Sequence, residues 1–101
     1  MFEKPEYKNF EPSNELEKYA DAVVSHLIDM APQDAAANSV VTRHGVMYSC
    51  RVEIMSKVGA FKTHIIAKNP KTALQQAHRK VMNQLLRWQR SRSTFPSWVP
   101  A

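Results

Sequence analysis

Hydrophobic positions along the chain follow a helical period, then a strand period, then a helical period again. Leu16, Ala20, Val23, Val24, Leu27 and Ile28 fall at steps of three and four, which puts them on one stripe of a helix. Pro12-Ser13-Asn14 reads as its start, with Asn14 as the capping acceptor and Glu17 three residues on, as in a capping box. Asp29-Met30-Ala31-Pro32 reads as its end, because proline cannot continue the hydrogen-bond ladder. A loop is expected over Gln33 to Asn38, then a strand at Val40-Val41-Thr42 and a tight turn at His44-Gly45. Val46, Tyr48, Cys50, Val52 and Ile54 next take every second position, with Met47, Ser49, Arg51, Glu53 and Met55 on the opposite face. Lys57 to Ala60 supplies a second turn, and Phe61 to Ala67 another strand in which Phe61, Thr63 and Ile65 share a face.

Asn69-Pro70 opens the last helix, with Asn69 as N-cap and Pro70 at the first helical position, where its missing N–H costs nothing. Leu74, Ala77, Val81, Leu85 and Trp88 form its apolar stripe. The helix is expected to fray past Arg92, leaving residues 93–101, with Pro96 and Pro100, as an extended aromatic tail. A short strand around Tyr7–Phe10 could precede these elements. Hairpin-linked strands between two amphipathic helices imply an α+β sandwich. Both helices would cover one face of a mainly antiparallel sheet, with the other face open.

A chain of 101 residues with 44% apolar content has room for one domain, placed at 1–92 ahead of the 93–101 tail. No apolar run reaches the roughly 18 residues of a membrane-spanning helix, and the N-terminus lacks the apolar region of a signal peptide. The single Cys50 rules out an internal disulfide and fits a reducing compartment, so a cytoplasmic location is expected. Charge changes the picture most. Residues 1–53 hold nine acidic and five basic side chains, a balance of −4, whereas residues 54–101 hold nine basic and none acidic, a balance of +9. So one-sided a half favours polyanions such as nucleic acid, or an acidic protein.

On a wheel of the last helix, Arg79, Lys80, Arg87 and Arg90 lie opposite the Leu74–Val81–Trp88 stripe, with Gln76 and Asn83 between them. Lys68 and Lys71 flank its start and Arg92 its end, completing a candidate RNA-binding set. Cations spaced by amides suit a phosphate backbone, and arginine adds bidentate contacts. An ordinary solvated face would carry glutamates four residues from its lysines, and this helix has none. His26, His44, His64, His78 and Cys50 show no metal-ligand spacing, so no metal is expected. Gly45 and Gly59 are the only glycines, which leaves no phosphate-cradling loop. No nucleophile sits in a recognisable motif. Neither catalysis nor a cofactor is expected.

Residues 12–92 resemble the family of ribosome hibernation-promoting factors and ribosome-associated inhibitors, also called the sigma-54 modulation or S30EA family. Three stretches carry the resemblance. Pro12-Ser-Asn-Glu-Leu-Glu-Lys-Tyr-Ala-Asp stands where the family enters its first helix, and Tyr48-Ser-Cys-Arg-Val-Glu-Ile-Met is similar to its long central strand. The run from Lys68-Asn-Pro-Lys to Leu-Leu-Arg-Trp-Gln-Arg90 is similar to its closing helix. The resemblance implies a β-α-β-β-β-α order, with the first strand near Tyr7–Phe10. It also implies a protein that silences translation by occupying the small-subunit decoding channel. There, Lys80 and Arg87, with Arg90 close by, would touch ribosomal RNA.

The chain departs from the family pattern in its acidic first helix, in His26 where lysine is common, and in Lys71 where a tyrosine is usual. Its hairpin at His44-Gly45 is short and its tail aromatic. Two other readings stand beside the ribosomal one. A double-stranded-RNA-binding module shares the α-β-β-β-α order, but here Ala67-Lys-Asn-Pro-Lys replaces the lysine cluster expected before its last helix. A protein-interaction module would recruit an acidic partner through the basic helix and anchor it with Phe95 and Trp98.

Overall fold

The computed structural model describes residues 4–98, with side chains to Ser91. The order is β1 (Glu6–Lys8), α1 (Asn14–Met30), β2 (Ala36–His44), β3 (Met47–Ser56), β4 (Gly59–Ala67) and α2 (Pro70–Trp98). The sheet runs β1-β2-β3-β4; β1 lies parallel to β2, and the other pairs are antiparallel. This is the α+β sandwich the sequence implies, with the β-α-β-β-β-α order of the family resemblance.

Strand alternation fixes which face is covered. Val41, Cys50 and Ile65 stand side by side across β2, β3 and β4, as do Ala37, Ile54 and Phe61. All six are buried, together with Val52. Onto them pack Leu16, Ala20, Val23, Val24 and Leu27 of α1 and Ala73, Leu74, Ala77, Val81 and Leu85 of α2. Burying a leucine or valine side chain contributes about 1.5–3 kcal/mol, so these two stripes hold the layers together. Trp88 closes the far end of the core against Phe61, ring centroids 6.1 Å apart. Gln84 of α2 grips the edge strand: its Oε1 accepts from the Lys62 N–H at 3.0 Å and its Nε2 donates to the Lys62 carbonyl at 2.9 Å.

Cys50 sits at the centre of this core, and burial pushes its thiol up to about 12. A thiolate is the reactive form, so the folded protein is expected to resist a thiol reagent at pH 8 and to react fully in denaturant. Prompt stoichiometric labelling without denaturant would contradict this packing.

Besides β1, which is Glu6–Lys8 where Tyr7–Phe10 is expected, and β4, which opens at Gly59 where Phe61 is expected, four boundaries differ from the sequence expectation. The cap of α1 is Ser13, whose Oγ accepts from the Leu16 N–H at 3.1 Å, and not Asn14. Leu16 therefore takes the place a capping-box glutamate would need, and Glu17 falls one residue too late. β2 begins at Ala36 instead of Val40. Ala35-Ala36-Ala37 has weak strand propensity, but Ala37 is buried opposite Ile54, and that packing overrides it. Val46 joins Gly45 in the turn and is 83% exposed instead of leading the inward face. Gly45 has φ +64°, the positive value a two-residue hairpin loop with glycine first requires.

The fourth difference is the length of α2. Its backbone stays helical to Trp98, where fraying past Arg92 and an extended 93–101 tail are expected from Pro96. Pro96 falls within the last turn, so the ladder bond it removes lies near the end of the helix. Residues 99–101 lie outside the described part. At 29 residues α2 spans about 43 Å, well beyond the sheet it covers.

Candidate nucleic-acid interface

The start of α2 is held by Asn69. Its Oδ1 accepts from the N–H of Lys71 at 2.9 Å and of Thr72 at 3.1 Å, which satisfies two of the orphan donors of the first turn. Lys68 and Lys71 are both exposed at this end. A helix N-terminus carries partial positive charge and favours anions, so two lysines there cost stability and strengthen an attraction for anions. Lys71 leans towards α1, its Nζ 5.6 Å from the centre of the Tyr19 ring. It therefore stands off the line of the other cations.

Leu74, Ala77, Val81 and Leu85 hold the inner side of α2 on the sheet, and this turns the opposite side fully outward. Gln76, Arg79, Lys80, Asn83, Arg87 and Arg90 are all exposed there, so the structure brings together the four central cations of the candidate set. From Arg79 to Arg90 the stripe runs about 16 Å along the axis. Asn83, Leu86, Arg87 and Arg90 line a shallow hollow of about 170 Å³ on it. No aspartate or glutamate follows Glu53 in the sequence. The Arg92 side chain lies outside the described residues.

Across the seam, α1 presents Glu15, Glu17 and Asp29 to solvent. The helical layer is thus negative on one rod and positive on the other. Between them lies a pairing that sequence spacing could not show: His26 Nδ1 and His78 Nε2 are 2.9 Å apart, although 52 residues separate them in the chain. Burial first, and His26 second, lower the pKa of His78 from the usual histidine range.

The uncovered sheet face carries a second cationic hollow of about 370 Å³, lined by Lys8, Thr42, His44, Ser49, Arg51 and His64 along with Val40. His44 Nε2 and Ser49 Oγ are hydrogen-bonded at 3.1 Å, and Arg51 stands between Val40 and His64 in the register. The alternation of β3 had placed Ser49 and Arg51 on this face. What it could not show is that Lys8 and His64, from strands at the two edges, converge on the same dish.

The architecture matches solved structures closely. The N-terminal domain of Protein Y from Thermus thermophilus superposes with a TM-score of 0.73 at 15% identity, covering 87% of this chain and 99% of its own. The fold is that of Protein Y's N-terminal domain. A ribosomal subunit interface protein from Coxiella burnetii has the same fold, with a TM-score of 0.63 at 5% identity over 88% of this chain and 98% of its own. Both neighbours belong to the hibernation-promoting factor family. No family model matches the sequence, and no curated protein matches it. The same fold is thus present at 15% and 5% sequence identity. Among the described residues, no helix is long and apolar enough to cross a membrane.

Proposed function

We propose that this protein binds ribosomal RNA of the small subunit through the outer face of α2 and silences translation by occupancy, without chemistry of its own, in the cytoplasm. The observation that carries the reading is the exposed stripe of Arg79, Lys80, Arg87 and Arg90 on a fold shared with a ribosomal subunit interface protein. Lys68 and Lys71 extend the positive region to the N-terminal end of the helix, and Arg92 continues it in sequence. Such a stripe attracts phosphates, whose bound counterions are released on contact, so affinity should fall steeply with salt.

Cosedimentation with ribosomes and with separated subunits, at about 50 and 200 mM salt, tests the reading. Small-subunit binding at low salt that weakens at the higher salt, with inhibition of translation in a purified system, is the expected result. Failure to sediment with the small subunit at low salt would sink it. Binding to free duplex RNA alone would favour a double-stranded-RNA module, and binding only to an acidic protein would favour an interaction module.

A further inference from the structure

We propose that His26 and His78 form a transition-metal site that bridges α1 and α2, taking one divalent ion of the copper, nickel or zinc class. The inference is independent of the ribosomal reading and stands on the geometry of the seam. The two ring nitrogens are 2.9 Å apart and the ring centroids 5.1 Å, with the planes inclined at 65°. A metal–imidazole bond is about 2.0–2.1 Å, so two nitrogens at right angles around one ion lie roughly 2.9 Å apart, and tetrahedral ones about 3.3 Å. The backbones already hold the separation that cis ligands of a tetragonal ion require. What must change is the tilt of each ring, so that both lone pairs meet at one point, and His26 is exposed and His78 only half-buried.

The proton balance is simple. In the neutral pair one ring donates its N–H and the other accepts. On binding, that hydrogen leaves the donor nitrogen and solvent returns one to the other nitrogen of the same ring. Both rings stay neutral, and the ion takes the place of the shared hydrogen. Imidazole nitrogens select borderline transition metals, whereas calcium and magnesium prefer oxygen.

The site is also rigid where rigidity matters. Beneath the pair, Val23 and Leu27 of α1 and Leu74, Ala77 and Val81 of α2 are buried, so neither ligand's backbone is free to drift. Gln89 ties the helices again further along, its Nε2 donating to the Met30 carbonyl at 2.8 Å. Among the described residues no third histidine, cysteine or carboxylate joins the pair, so water fills the remaining positions.

The test is calorimetric titration of the whole, metal-free chain with NiCl₂, CuCl₂ and ZnCl₂ at pH 7.5. One ion per chain is expected, with a saturable rise in melting temperature. His26→Ala and His78→Ala should each weaken binding at least tenfold. The double variant His44→Ala/His64→Ala, which removes the other two histidines, should bind as the parent does. With Cu²⁺, electron paramagnetic resonance should show two equatorial imidazole nitrogens, reduced to one in either single variant. Circular dichroism would confirm that the variants remain folded. Affinity no tighter than millimolar for all three ions overturns the proposal, as does binding that survives His26→Ala.

Discussion

Replacing Arg79, Lys80, Arg87 and Arg90 together by alanine is expected to cut small-subunit affinity by about three orders of magnitude at roughly 0.1 M salt. Each cation that neutralises a phosphate adds about 0.7–0.9 to the slope of log affinity against log salt, so removing four contacts lowers the slope by about 3. All four side chains are exposed on the outer face of α2, and alanine is the strongest helix former. The fold should therefore survive, and the loss should lie in binding alone. The measurement is a salt series of cosedimentation for parent and variant, with circular dichroism to confirm the helix. Binding within a factor of ten of the parent at every salt would remove α2 as the contact surface. A large loss with an unchanged slope would mean that the side chains pack against their target without meeting phosphates.

Leu74→Ala should produce the largest loss of stability. Leu74 is wholly buried near the start of α2, in the cluster where both helices meet the sheet. A buried leucine-to-alanine change costs about 2.7–5 kcal/mol, through lost transfer energy and the cavity left behind. A small domain has about 5–15 kcal/mol in total, so one substitution removes a large share of it. Melting should fall by about 11 °C or more, at 4–8 °C per kcal/mol for a domain of this size. Leu86→Ala, on the half-exposed side of the same helix, is the control and should cost less than about 1 kcal/mol. Equal effects at the two positions would contradict the orientation of α2 described above.

Periodicity made the covered layers legible, because a residue's face follows from spacing alone. The inward set Cys50, Val52 and Ile54 and the stripe Leu74, Ala77, Val81 and Leu85 could be read directly. Element ends were less legible, since they depend on single contacts. Ser13 and Asn14 are both good caps, and only the Ser13 to Leu16 hydrogen bond decides between them. The alanines that open β2 owe their strand to Ile54 across the sheet, which no local propensity contains. The outward side of α2 was legible for the same reason as its inner side. The histidine pair was not, because its partners lie on different helices and meet only once both have docked on the sheet.

The grip of Gln84 on Lys62 has a consequence for how this protein meets copies of itself. The outer strand of a sheet offers a row of unpaired amides and carbonyls on which another chain can add, and β4 is nine residues long. At Lys62 that row is already filled, since a side-chain amide presents the same donor and acceptor as an incoming peptide unit. A strand arriving from another molecule would find its pairing interrupted at Lys62. At the other edge, β1 offers only three residues. Gln84 thus removes one pairing position from the long edge of the sheet, while its uncovered face and the basic helix stay open to solvent.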